Sequence, residues 1–128
     1  VDNVALAASR AGEGWFWTLR RKEDERELMG VICLMNTPDN NRGFWLAPEW
    51  QGKGYMREAC HAVTDYWFNG LNREVLRAPK AVANERSRKI SHSSGMRLVR
   101  RQPGHYVAGE LETELWEITR DDWNRLYG

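Results

Sequence analysis

No apolar stretch in this chain approaches the ~20 residues that a membrane-crossing helix needs, and no secretory leader opens it. Charge of one sign is also scarce: 19 basic residues stand interspersed with 18 acidic ones, for a net charge of +1. Without such a field, neither nucleic acid nor an anionic membrane is an expected partner. Cysteine is limited to Cys33, on an apolar strand pattern, and Cys60, on an apolar helix face. That usage fits two buried, reduced thiols and gives no framework for disulfides or a metal site. The expectation is a soluble, cytoplasmic protein that binds no metal. With 128 residues, it is one domain, 1–128, around a single core.

Tryptophan, by contrast, is abundant, with seven in the chain. Trp15, Trp17, Trp45, Trp67 and Trp116 fall on strand or helix patterns and are expected in the core. Trp50 and Trp123 fall in a loop and a tail, where each either lines a ligand site or covers an edge.

Residues 1–11 favour a helix ended by Gly12 and Gly14. Alternation over 15–20 and an apolar run over 28–35 read as a hairpin, followed by a loop over 36–41. A third strand spans 43–47. A helix over 55–68 then buries Ala59, Ala62, Val63, Tyr66 and Trp67, which recur at three- and four-residue spacing. A strand over 74–82 contains Pro79, which marks an edge or a parting of strands. Asn84 caps a helix ending at Gly95. Strands near 96–99 and 112–119 follow, then a short helix capped at Thr119 with Asp121 and Asp122 in its first turn. The order α-β-β-β-α-β-α-β-β-α is α+β in class.

The most informative segment is Gly43-Phe-Trp-Leu-Ala-Pro-Glu-Trp-Gln-Gly-Lys-Gly-Tyr-Met56, an apolar strand, a two-glycine loop and a helix start. Such a loop turns several N–H groups toward one point, and the helix dipole adds positive potential there, so the junction suits an anion such as phosphate. Gly52 and Gly54 allow close main-chain approach. The spacing is neither the dinucleotide fingerprint nor the nucleotide P-loop. Gln51-x-x-Gly54-x-Met56 instead resembles the pyrophosphate loop of the GNAT acyltransferases, with Met56 in place of the usual final small residue. The flanking residues look like the branch that acetylates ribosomal-protein N-termini. A second motif strengthens the likeness: Asn84-Glu-Arg-Ser87 followed, eleven residues after Asn84, by Gly95-Met96. With the ending Leu115 to Trp123, the resemblance covers about 12–123.

That resemblance implies a mixed, mostly antiparallel sheet with helices on both faces. It also implies that the family's opening strand and first helix have no counterpart here, which leaves an edge strand to be covered, a homodimer being one way. It implies direct acetyl transfer from acetyl-CoA to a primary amine, on a small molecule or a peptide. The cofactor would lie against Trp45, Leu46, Ala47, Gln51, Gly52, Lys53, Gly54, Tyr55, Met56, Asn84 and Ser87, with Arg57 or Lys53 adding charge. Ser87, Ser91 and Ser94 form a stripe on one helix face. They either face solvent, bond back to helix carbonyls, or, for Ser87 and Ser91, hand a proton to the leaving thiolate. The family's strand glutamate has no equivalent at 40–42. By chemistry alone, Asp39, Glu110, Glu112, His105 and His92 are candidate bases, and each also reads as an ordinary surface residue. His61 reads as structural. Neutralising a lysine amine at pH 7 costs about 4.6 kcal/mol and an α-amine only about 1 kcal/mol. A chain without a strong base therefore suits an N-terminus or a weakly basic amine. The alternative is an inactive CoA-binding or interaction domain of the same fold.

Overall fold

A computed structural model describes residues 4–11, 14–106 and 109–128. Eight residues, Val4–Ala11, form a strand (β1), not the expected helix. Leu6 lies opposite Leu19 and packs on the core, while Ala7 faces Thr18 and Ala8 faces Trp17. The helix preference of an alanine-rich segment is weak, and a neighbouring strand that supplies a ladder overrides it. Residues 1–3 and Gly12 of that expected helix lie outside the described residues. β1 occupies the edge of β2 (Gly14–Arg21), the edge the resemblance left open.

β3 (Leu28–Thr37) and β4 (Asn40–Leu46) complete a four-stranded antiparallel sheet in the order β1-β2-β3-β4. The expected loop over 36–41 shrinks to a tight turn at Pro38-Asp39, with Thr37 paired to Asn40. Asp39 takes the left-handed conformation at φ 62°. Asn41 Nδ2 clamps the turn by donating to the carbonyls of Met35 and Thr37, both at 3.1 Å. Asx residues that tolerate left-handed backbone and bond their neighbours make such turns possible.

Helix α1 (Tyr55–Asp65) follows a short 3₁₀ turn at Pro48–Trp50 and loosens into a π turn over Tyr66–Gly70. It buries Met56, Ala59, Cys60, Val63 and Thr64. The wider turn brings Trp67 and Phe68 inward together and rotates Tyr66 out to 41% exposure, against expectation. Trp67 Nε1 then donates to the Val75 carbonyl at 2.9 Å.

The second sheet has order β5-β7-β6, from β5 (Val75–Ala81), β6 (Arg97–Tyr106) and β7 (Gly109–Thr119), all antiparallel. β6 and β7 run well beyond the four and eight residues expected, because they pair with each other as far as Tyr106 and Gly109. Helix α2 (Glu85–Ser93) is capped by Asn84, whose Oδ1 accepts from Ser87 N at 3.2 Å. Helix α3 (Arg120–Tyr127) is capped by Thr119, whose Oγ1 accepts from Asp122 N at 3.2 Å.

β4 and β5 are neighbours but share no ladder, so the expected sheet exists as two pieces parted beside the Pro79 strand. Side chains bridge the seam at one end. Arg77 N donates to Asn41 Oδ1 at 2.9 Å, and Asp39 Oδ1 pairs with Arg77 Nη1 at 3.0 Å. Three residues further along both strands, Lys80 lies over the Phe44 ring at 5.3 Å. One core spans the seam, from Leu19, Ile32 and Leu46 to Leu76, Trp116 and Trp123.

Candidate functional site

Past Phe44 the seam opens into a cavity of about 570 Å³. Its walls are the end of β4, the 51–56 loop and the first two turns of α2. Because β4 alternates, Arg42 and Leu46 are buried while Trp45 points away and is 55% exposed. Trp45 is thus not a core residue as its strand position suggested. It lines the cavity together with Leu46 and Phe44.

The loop is shaped by Gly52 at φ 76° and Gly54 at φ 84°, values that side-chain-bearing residues rarely adopt. A Cβ built on either glycine would meet nothing within 4 Å, so the main chain there faces open space. Gly54 is also the N-cap of α1 and makes no side-chain cap bond to that first turn. Uncapped helix donors behind a glycine loop are a ready seat for an anion. Gln51 is not free for a ligand: its Nε2 donates to the Leu46 carbonyl at 2.9 Å and so fixes the loop to the strand. Gly52, Gly54, Tyr55 and Met56 line the cavity with it.

Lys53 and Ala47 are placed elsewhere. The Lys53 ammonium lies over the Trp50 ring at 5.3 Å, and the Arg21 guanidinium lies at 5.4 Å from the same ring. Trp50 also meets Tyr55 edge-on at 6.0 Å, so this tryptophan braces the loop. Ala47 is buried and its N–H donates to the Met29 carbonyl at 2.8 Å.

From α2, Asn84 and Ser87 line the cavity. Ser91 does not: it is fully buried, and its Oγ has no partner. Ser94 Oγ donates to the Ser91 carbonyl at 3.0 Å, the back-bonding reading of the stripe. Sequence reasoning missed Phe44, Arg86, Lys89 and Ile90, and only weighed Arg57; all five line the cavity. The spacing of Arg86, Lys89 and Ile90 from one another was the available signal, since i, i+3 and i+4 share a face.

The candidate bases do not converge here. No carboxylate is among the residues lining the cavity. Asp39 has Arg77 at 3.0 Å and Arg100 at 2.9 Å on its two oxygens, and the Arg77 contact foremost holds its carboxyl below the usual range. Glu110 and Glu112 are exposed on β7, and the side chain of His105 lies outside the described residues. His92 is exposed on the opposite side of α2, edge-on to Trp116 at 6.4 Å. His61 packs tilted against Trp123 and edge-on to Tyr127, each at 4.8 Å, a structural role. Trp123 itself is buried, with Nε1 donating to Asp65 Oδ1 at 3.0 Å, and so closes the core.

The family described as "Acetyltransferase (GNAT) domain" matches residues 1–97. The chain belongs to the GNAT acetyltransferase family. Among curated GNAT-like relatives, "Putative ribosomal N-acetyltransferase YdaF" of Bacillus subtilis (strain 168) is 34% identical over 102 residues, covering 75% of this chain and 56% of that protein. The chain thus spans little more than half of that relative's length. A spermidine/spermine N-acetyltransferase SpeG from Vibrio cholerae, solved with manganese ions, superposes with TM-score 0.84 at 14% identity, covering 99% of this chain and 98% of that one. A ribosomal-protein-S5-alanine acetyltransferase from Vibrio fischeri gives 0.75 at 22% identity, over 87% and 64% of the two chains. These likenesses establish that the GNAT fold is shared. Among the described residues, no helix is long and apolar enough to cross a membrane, and no group of His, Cys, Asp and Glu is placed to hold a metal.

Proposed function

We propose that this chain is an acetyl-CoA-dependent N-acetyltransferase that moves acetyl directly to a primary amine. The observation that carries the reading is the cavity at the end of β4, with the glycine loop and an uncapped helix start forming one wall. The residues fit the cofactor. Main-chain N–H groups over 51–56 would hold its diphosphate, and Arg57, Arg86 and Lys89 at the rim would balance its charge. Trp45 and Leu46 would flank the arm that enters the seam. A main-chain N–H there would stabilise the oxyanion, a contribution of roughly 3 kcal/mol in acyl transfers.

We assign the proton for the departing thiolate to Ser87, a reading supported by its lining the cavity while Ser91 is fully buried and does not line it. A coenzyme A thiol with a pKa near 8.5, like cysteine, asks little of that acid. The absence of any carboxylate in the wall supports an acceptor that is already partly neutral, a peptide or protein N-terminus or a weakly basic small amine. The two free cysteines are consistent with work in the cytoplasm. The outer strands β1 and β6 are the edges on which a homodimer would form.

Thiol release from acetyl-CoA, followed with an N-terminal peptide and a matched lysine peptide, tests the activity and its preference together. Faster turnover of the lysine peptide would reverse the acceptor assignment. The same missing carboxylate favours the second reading, a CoA-binding domain without turnover. Binding by calorimetry with no thiol release over an amine panel would select it.

A further inference from the structure

We propose that Asn41 is a positioning residue for the cofactor: it spaces β4 from β5 and so sets the separation of the two walls between which the thioester arm would lie. The inference rests on the cofactor reading above and concerns a residue that does not itself line the cavity.

A main-chain N–H withdrawn from water needs an acceptor. In a continuous sheet, the N–H of Arg77 on β5 would find a backbone carbonyl on the neighbouring strand. Among the described residues, no backbone bond joins β4 to β5. Asn41 Oδ1 takes the place of that carbonyl, accepting from Arg77 N at 2.9 Å. Backbone pairing holds neighbouring strands about 4.8 Å apart. The asparagine oxygen stands one carbon further from its main chain than a carbonyl oxygen does, so the same kind of bond is made at a greater strand separation.

The side chain is not free to swing away from this geometry. Its Nδ2 donates to the carbonyls of Met35 and Thr37, which ties the amide to the β3–β4 hairpin while its oxygen reaches β5. The other contacts across that end of the seam are ion pairs, Asp39 with Arg77 at 3.0 Å and with Arg100 at 2.9 Å. All three side chains are at least a third exposed, so these pairs hold weakly. The cavity begins three residues further along both strands, roughly 10 Å at the rise of a strand. There Phe44, Trp45 and Leu46 form one wall, and α2, which follows β5, forms the other. Without the spacer, Arg77 N–H must turn to a β4 carbonyl, which draws the strands together, or to water, which lets them part. Either change moves Trp45 and Leu46 relative to Asn84 and Ser87.

Three variants separate this role from that of a hairpin clamp. Asn41→Asp and Asn41→Ala both lose the donors to Met35 and Thr37, but only Asn41→Ala loses the acceptor for Arg77 N–H. Asn41→Gln keeps donor and acceptor on a stem one carbon longer. CoA binding to each full chain is measured by calorimetry, and exchange of the Arg77 amide by NMR. Asn41→Asp should bind within about threefold of wild type and keep that amide protected. Asn41→Ala should bind at least about tenfold more weakly, with the amide exchanging fast, and Asn41→Gln should also lose affinity because the length is wrong. Full affinity in Asn41→Ala or Asn41→Gln overturns the inference, as does an equal loss in Asn41→Asp and Asn41→Ala. A wild-type protein that binds no CoA removes the cofactor reading and this inference with it.

Discussion

Lys80→Met should make the protein more stable at neutral pH, because Lys80 is only 5% exposed on β5 and burial foremost pushes its ammonium down to about 7. An ammonium that ionises near 7 when folded and near 10.5 when unfolded binds more protons in the unfolded chain between those values. Stability must then rise with pH across that window and carry the full cost of the buried charge below it. By arithmetic the cost at pH 7 is on the order of 4 kcal/mol, falling to on the order of 3 kcal/mol at pH 8.5. The contact with Phe44 offsets on the order of 1 kcal/mol of the gain, since methionine replaces the cation. A net gain of about 3 kcal/mol at pH 7 is therefore expected. For 128 residues, an unfolding entropy of about 0.27 kcal/mol per kelvin converts this into a rise of roughly 11 °C in Tm. The wild-type protein should itself gain on the order of 1 to 2 kcal/mol between pH 7 and 8.5, and the variant should not. Differential scanning calorimetry of both across that range reads the difference and cancels every other titrating group. Parallel pH profiles, or a variant less stable than wild type at pH 7, would refute the reasoning.

Gly54→Val places a branched side chain at φ 84°, which costs on the order of 1–2 kcal/mol of local strain and reshapes the loop. Affinity for CoA should fall at least about tenfold by calorimetry, while overall unfolding changes little beyond that strain. Ser91→Ala removes a buried hydroxyl without a partner, so stability should stay level or improve by up to about 1 kcal/mol in urea titrations. Unchanged turnover in that variant would leave Ser87 as the proton donor, whereas a large loss of kcat would return the role to Ser91. Glu114→Gln weakens a fully buried carboxylate held by Arg88 at 2.7 Å and Arg101 at 3.0 Å. A loss of about 1.5–3 kcal/mol is expected in chemical denaturation, below the figure for sealed ion pairs because both arginines keep solvent contact. Arg88 belongs to α2, so the same change should also weaken CoA binding.

The strand, loop and helix at the heart of the site were legible because three local signals agree there. Glycines sit where φ is positive, α1 keeps a helical apolar period, and Asn84 and Thr119 cap the helices they precede. What escaped was decided by partners far away in sequence. Residues 4–11 read as helix by propensity, and only the neighbouring Gly14–Arg21 ladder makes them a strand. The hairpin at Asp39 depends on Asn41 closing back on Met35 and Thr37. Trp45 reads as core by type, but its inward neighbours leave it on the open side of β4. Arg42 falls between the expected loop over 36–41 and strand over 43–47, and Lys80 inside the strand expected over 74–82, with no local sign of burial at either. Their burial arises where two sheets meet under α1, a junction no local window contains.

The seam between the sheets works like a pair of tongs pinned at one end. The pin is Asn41 with Arg77 and Asp39, and the jaws are the far ends of β4 and β5. No ladder joins β4 to β5, so a small rotation about the pin becomes a change of gape at their far ends. Residues remote from the cavity can therefore set its width without touching what it holds.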